Sequence, residues 1–324
     1  MGSAHGWADR HQVALYIAAI AVGALIGGAA PMAAPVLGVA ATPVLALLLF
    51  VTFLGVPVLR IGGALRDARF VAAVLVTNFV VAPLVAAALG RLVAADTALL
   101  VGVLLVLLTP CVDYVIVFAG LAGGDARRLL ALTPVLMILQ LLTLPLWLWL
   151  FAGADAVATI DPVPFVEAFV VLIAIPWAAA AVLQALAARR AGPQRVVRAA
   201  SSTMVPLMML TLFAVVASQV ARVGAAWPSL LPVVPLFVAF AVVMAGAGAL
   251  VALIARLPAA SRVAVVFSGV TRNSLVVLPL ALALPPAFAT APLVVVTQTL
   301  VELVLLVAVV AVVRRSGRLL QTPR

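Results

Sequence analysis

The chain has 324 residues, of which 67% are hydrophobic and 9% charged, with a mean hydropathy of +1.38. Soluble domains are about 45–50% apolar and about 25% charged, so this composition excludes a water-soluble fold and makes lipid the solvent. A net charge of +10 would suit nucleic acid, but all the basic residues are arginines and their placement fits membrane topology instead.

A bilayer core of about 30 Å takes a helix of about 20 apolar residues. The apolar runs here are continuous rather than alternating, which predicts helices and not a barrel. Ten spans are expected. The first two cover about 12–29 and about 35–57. Gly23 and Gly27 in the first are spaced for close helix packing. The stretch VGALIGGAAPMAA resembles a signal-peptide cleavage region; it is assigned to the membrane, because losing it would leave nine spans. The third span, about 70–90, carries Asn78 at mid-depth, either as an interhelical hydrogen-bonding group or as part of a polar site.

The fourth span, about 97–122, is interrupted by TPCVDYVI. This stretch holds Thr109, Pro110, the chain's only cysteine, Cys111, and Asp113. Pro110 removes a backbone donor and clashes with the preceding turn, which predicts a break. The fifth span, about 128–151, contains Gln140, and the sixth, about 163–188, begins near Glu167 at the interface. The seventh and eighth, about 203–221 and about 229–256, carry no charge well inside. The ninth, about 261–286, holds Ser268 and then Thr271, Arg272 and Asn273; the tenth, about 290–313, places Gln298 one turn before Glu302.

With both termini inside, sixteen of the nineteen arginines fall on the inner side, and only Arg91 and Arg222 on the outer, beside Asp96, Asp155 and Asp161. An even number of spans and this bias agree on cytoplasmic termini. Some inner arginines would also meet anionic lipid headgroups. His5 and His11 precede the first span, which excludes a histidine metal site within the membrane.

Ten spans divide into two halves of five, about 12–151 and about 163–313. Sliding the sequence by 162 residues lays Thr109, Pro110 and Cys111 on Thr271, Arg272 and Asn273, and Gln140 on Glu302. Odd-numbered repeats have opposite orientations, so two broken helices related in this way would cross near the midplane. The expected fold is therefore an all-α polytopic membrane protein of two inverted five-helix repeats, with broken crossing helices 4 and 9. Asp113, Arg272 and Glu302 are the charges well inside spans. Such groups are disfavoured at the bilayer centre by about 2.5–3.5 kcal/mol and usually face a cavity or a partner. One reading is a solute or proton site; the other is a structural ion pair, Asp113 with Arg272, which leaves Glu302 without a reason. Cys111 alone would be a small buried hydrophobe; beside a break and an arginine it suits a soft, thiophilic solute.

The stretches PCVDYVIVFAGLAGGD, FSGVTRNSLVVLPLALAL and VTQTLVELVLLVAVVAVVRR resemble the bile acid:sodium symporter superfamily, and within it the arsenite permeases of arsenical resistance. The resemblance is best over helices 3–5 and 8–10. It implies a core of those helices, a panel of helices 1, 2, 6 and 7, no cofactor and a plasma-membrane location. Cys111 matches the helix 4 cysteine of the permeases and Glu302 their helix 10 glutamate. Asn273 matches the asparagine of the helix 9 crossing, and Asn78 an amide that helps hold sodium in the sodium-coupled branch. The permeases usually carry an arginine before the cysteine; here it is Pro110, and Arg272 lies opposite by the repeat offset. Ser268 replaces a glutamate of the sodium-coupled branch, and Asp113 a small residue of the permeases.

The expected function is secondary active export of arsenite or a related trivalent metalloid, by proton antiport. Cys111 would touch the solute, Asp113 and Glu302 would be the candidate proton carriers, and Arg272 would tune them. The alternative is a sodium- or proton-coupled transporter of a small organic anion gripped by Arg272. An intramembrane enzyme lacks a second aspartate to pair with Asp113 and a histidine at membrane depth. The expected partners are the solute, protons and lipid, with no nucleic acid; the oligomeric state stays open.

Overall fold

The computed structural model describes residues 2–55, 67–112, 114–154, 158, 163 and 170–319. Its helices are α1 (Gly2–Ala29), α2 (Ala34–Gly55), α3 (Ala68–Val76), α4 (Ala82–Gly90), α5 (Thr97–Leu107), α6 (Tyr114–Leu121) and α7 (Ala126–Ala152). They continue with α8 (Ile175–Ala187), α9 (Ala191–Ser202), α10 (Met204–Ala225), α11 (Val233–Ile254), α12 (Ala259–Val270), α13 (Ser274–Leu282) and α14 (Ala291–Leu319). No strand occurs among the described residues; an isolated bridge pairs Pro110 with Arg272.

Five helices among the described residues are long and apolar enough to cross a membrane, or six if the bent pair Ala14–Ala29 and Pro31–Ala41 is one span. Ten spans were expected from the sequence, and the stretches that fall short of a full crossing are local. The fourth and ninth spans are each split into shorter helices at their breaks, and the second and sixth run partly through residues outside the described set. Large apolar side chains such as Leu25, Val36, Leu142, Ile254 and Val304 stand exposed. Such a surface suits hydrocarbon, not water.

Two units pack separately. The first comprises Met1–Leu59, Asp161–Ser229 and Leu278–Ala283. In it α1 and α2 lie against α10, and α8 against α2. Gln184 in α8 donates to the carbonyls of Phe53 (2.9 Å) and Leu54 (3.1 Å) at the end of α2. The glycines of α1 mark where its backbone meets α10. A Cβ on Gly27 would stand 2.3 Å from the Ala217 carbonyl oxygen and 2.6 Å from Val220 Cγ1. Gly27→Leu is therefore expected to push α1 off α10 and destabilise this unit by about 1–3 kcal/mol or more. A lower melting temperature in detergent, with Gly28→Leu unchanged because no atom lies near that position, would check it.

The second unit comprises Arg60–Ile160, Leu230–Val277 and Leu284–Arg324. Here α3 and α4 pack on α11, α3 also on α12, and α5 on α7 and α14. Aspartates start three of its helices by accepting from exposed backbone donors. Asp67 takes the Phe70 N–H (3.2 Å), Asp96 those of Ala98 (2.9 Å) and Leu99 (3.0 Å), and Asp125 that of Arg128 (3.2 Å). Arg128 then joins two of these caps, reaching Asp67 at 2.5 Å and Asp125 at 3.0 Å. These pairs are half exposed, so they fix the register of the helix ends more than they add stability.

Between α3 and α4 the backbone forms one wide π turn, Thr77–Val81, where an unbroken α-helix was expected. Pro83 in the next turn cannot donate and crowds the residue four before it. The extra residue of a π turn relieves both conflicts. The same sequence of events recurs at Val170–Ala174, followed by Pro176.

Candidate functional site

The site lies wholly within the second unit, where two helices break. α5 stops at Leu107, and the Thr109 hydroxyl donates back to the carbonyls of Leu105 (3.1 Å) and Val106 (3.0 Å). α12 stops at Val270, and the Thr271 hydroxyl donates to the Phe267 carbonyl at 2.6 Å. The first hydroxyl thus reaches a carbonyl near the end of its helix, and the second shares the Phe267 carbonyl with the Thr271 N–H (3.0 Å). On the far side of the second break, Asn273 Oδ1 accepts from the Val276 N–H (3.4 Å) and starts α13.

The two extended segments pair with each other. The Cys111 N–H donates to the Thr271 carbonyl at 3.3 Å, and the Asn273 N–H to the Thr109 carbonyl at 2.9 Å. Pro110 and Arg272 therefore face each other as a pair that exchanges no backbone bonds. At that position the missing N–H of proline leaves nothing unsatisfied. The Arg272 N–H points away from the pairing and is free for another acceptor, Glu302 Oε2 at 2.9 Å. The residues that bridge, 110 and 272, are those aligned by the 162-residue offset.

Arg272 is completely buried. Its Nη2 donates to Asn78 Oδ1 (2.9 Å), to the Ser268 carbonyl (2.9 Å) and to the Gly269 carbonyl. Its Nη1 donates to the Leu107 carbonyl at 3.3 Å, and the Phe240 ring lies 5.3 Å from the guanidinium carbon. The carbonyls come from the last turns of α5 and α12, the ends of a helix that attract a cation. Phe240 adds a cation–π contact. Asn78 sits in the π turn, its Nδ2 donating to Ser268 Oγ (2.8 Å) and the Val74 carbonyl (3.0 Å). A guanidinium only donates, so it fixes which end of the amide faces it.

Removing this amide has a measurable consequence. Asn78→Ala leaves Ser268 without that donor and Arg272 with one acceptor fewer, both buried. The expected loss is about 1–3 kcal/mol, read as a lower melting temperature of the purified protein, with Asn78→Gln intermediate.

Glu302, in α14 and buried, accepts at Oε2 from the Arg272 N–H and from Gln298 Nε2 one turn earlier. Both residues line a small cavity with Leu107, Val270, Phe237 and Phe240. Its volume of about 10 Å³ has room for roughly one water. Around the bridge, Asn273 Nδ2, Ser274 Oγ, Gln298 Oε1 and Thr77 Oγ1 are buried with no hydrogen-bond partner among the described residues. Unpaired buried groups are rare and call for a reason; here they offer donors and acceptors to a polar solute.

Of the residues singled out in the sequence, Asn78, Thr109, Pro110, Cys111, Ser268, Arg272, Asn273 and Glu302 are joined by these bonds or stand beside the bridge. Asp113 lies outside the described residues. Gln140 is buried in α7. Sequence reasoning missed Phe240, one of thirteen phenylalanines in an apolar helix with nothing to single it out. It also missed the carbonyls of Leu107, Ser268 and Gly269, which side-chain identity does not reveal.

Comparison with curated proteins found no match. The model of the Sodium Bile acid symporter family matches residues 42–226, more than half of the chain, including Asn78 and the Thr109–Cys111 break but not Arg272 or Glu302. With its apolar helices, the chain is a multi-pass membrane protein; it belongs to the sodium bile acid symporter family, whose members are solute transporters and not enzymes.

Proposed function

We propose that the protein is a secondary active exporter of arsenite or a related trivalent metalloid, driven by proton antiport across the plasma membrane. The observation that carries this reading is the place of the only cysteine. Cys111 is fully buried and lies in the short bridge between two broken helices, next to Pro110, which faces Arg272. A thiol there offers a soft ligand, and a single thiol binds weakly enough to release the solute. Thr109, Asn273, Ser268 and Asn78 supply polar surroundings. Glu302, with Asp113 as the other candidate, carries the proton.

The organic-anion alternative needs Arg272 to grip a carboxylate. Its guanidinium donates to Asn78 and three carbonyls and lies against Phe240, so recruiting it would mean dismantling that shell. This favours the metalloid. In the same proposal the chain is built of two inverted five-helix repeats spanning ten times, with cytoplasmic termini. The second unit acts as the core and the first as the panel of an alternating-access transporter. The arginine bias and the pairing of residues 110 and 272 support that arrangement.

The test is arsenite and antimonite tolerance in a bacterial host lacking its own exporters, with and without this chain, together with arsenite uptake into everted vesicles. Raised tolerance with uptake that collapses when the proton gradient is abolished is expected. Unchanged tolerance and no uptake, beside uptake of a carboxylate such as acetate or pyruvate, would replace the metalloid with an organic anion.

A further inference from the structure

The family name carries sodium, and sodium is a hard cation that seeks oxygen ligands stripped of competing positive charge. Convergent oxygens are present in the second unit: Asn78 Oδ1 and the carbonyls of Leu107, Ser268 and Gly269, all uncharged and drawn together at the C-terminal turns of α5 and α12. Two helix ends aimed at one point concentrate negative potential. Neutral carbonyls converging in this way can replace the hydration shell of a free monovalent ion. In this chain they all point at one guanidinium, completely buried and reached from the loop between α12 and α13.

We infer that Arg272 is a tethered cation that takes the place of a coupling sodium ion, so that the transporter is indifferent to sodium. A positive charge fixed among these oxygens repels a second one at the same place. The tether also holds the charge at full occupancy, whereas a free ion would come and go with its concentration. The residues therefore do not fit the ion in the family's name, and the chain departs from it at Arg272. The inference deepens the proposed proton coupling and rests on the crossing being the transport site. Its test needs no transported solute, so the metalloid reading can fail without it.

The experiment measures thermal unfolding of the purified protein in LiCl, NaCl or KCl against choline chloride at equal ionic strength, which removes general screening. The wild type is expected to melt at one temperature in all four salts. Arg272→Ala and Arg272→Gln, which clear the charge from the oxygens, are expected to melt lower in choline. Both should recover by several degrees, saturably, in one alkali chloride. Arg272→Lys keeps a cation in place and should remain indifferent. A saturable sodium response of the wild type would overturn the inference by itself, whether or not the variants fold. Folded Arg272→Ala and Arg272→Gln proteins that respond alike to every salt would overturn it too, and would reduce Arg272 to a cap on two helix ends.

Discussion

Cys111→Ser is expected to reduce arsenite uptake into everted vesicles to background while leaving the protein folded. The fold should survive because the main-chain contribution of this residue does not depend on its side chain. Its N–H donates to the Thr271 carbonyl at 3.3 Å, and serine makes the same bond. The side chain is fully buried, so the new hydroxyl must find an acceptor, at a cost of about 1–3 kcal/mol if it finds none. Transport is affected differently. Trivalent arsenic prefers sulfur to oxygen, and a hydroxyl offers a hard atom where a soft one is needed. A loss of only ~1.4 kcal/mol at the solute-binding step raises the dissociation constant about tenfold, and exchanging sulfur for oxygen should exceed that. Cys111→Ala separates the two effects, since it removes both the sulfur and the hydroxyl. If both variants are folded and inactive, the sulfur is the ligand. Uptake unchanged in Cys111→Ser would remove the thiol from the mechanism and leave the cysteine as packing.

What could be read from the sequence, and what could not, divides along one physical line. Pro110 announces its break because a missing donor and a steric clash are properties of the residue itself. The 162-residue offset aligned residue 110 with residue 272, the two that bridge, since polar residues at membrane depth are few enough for their spacing to stand out. Gln298 was placed beside Glu302 by helical periodicity, and the two are hydrogen-bonded. The break at Thr271–Asn273 carries no proline. It is held instead by two tertiary partners, the Thr109 carbonyl and the carboxylate of Glu302, and by the Thr271 hydroxyl turned back onto the Phe267 carbonyl. The π turn at Asn78 escaped for a related reason, because Pro83 signals only that something must give, and either a kink or a wide turn would serve. The shell around Arg272 is mostly backbone carbonyl, which every residue possesses. The sequence left Asp113 and Arg272 with two readings, a solute or proton site and a structural ion pair, and Asp113 lies outside the described residues. The acceptors around the Arg272 side chain include an amide and three carbonyls, none of which a pattern of charges could point to.

Glu302→Gln is expected to uncouple transport from the proton gradient without dismantling the site. The carboxylate is held from two sides, by the Arg272 N–H and by Gln298 Nε2, and it borders a cavity walled mostly by Leu107, Val270, Phe237 and Phe240. An amide of the same shape keeps an oxygen for the Arg272 N–H. Its nitrogen can turn to Gln298 Oε1, which has no partner among the described residues, so the substitution conserves hydrogen bonds while removing the ability to take and release a proton. Proton-driven arsenite uptake should therefore fall by about tenfold or more, the effect of at least ~1.4 kcal/mol. Exchange of labelled arsenite across vesicles without a proton gradient should continue, because solute binding and alternation of the loaded form do not require the carboxylate to cycle. The pair of measurements assigns the role. Loss of both activities with a lower melting temperature would make Glu302 a structural acceptor for the Arg272 backbone. Retention of both, with driven uptake lost in Asp113→Asn, would move the proton to Asp113. Only loss of driven uptake with exchange intact makes Glu302 the proton carrier, because an acid that couples transport must be dispensable for everything except the proton.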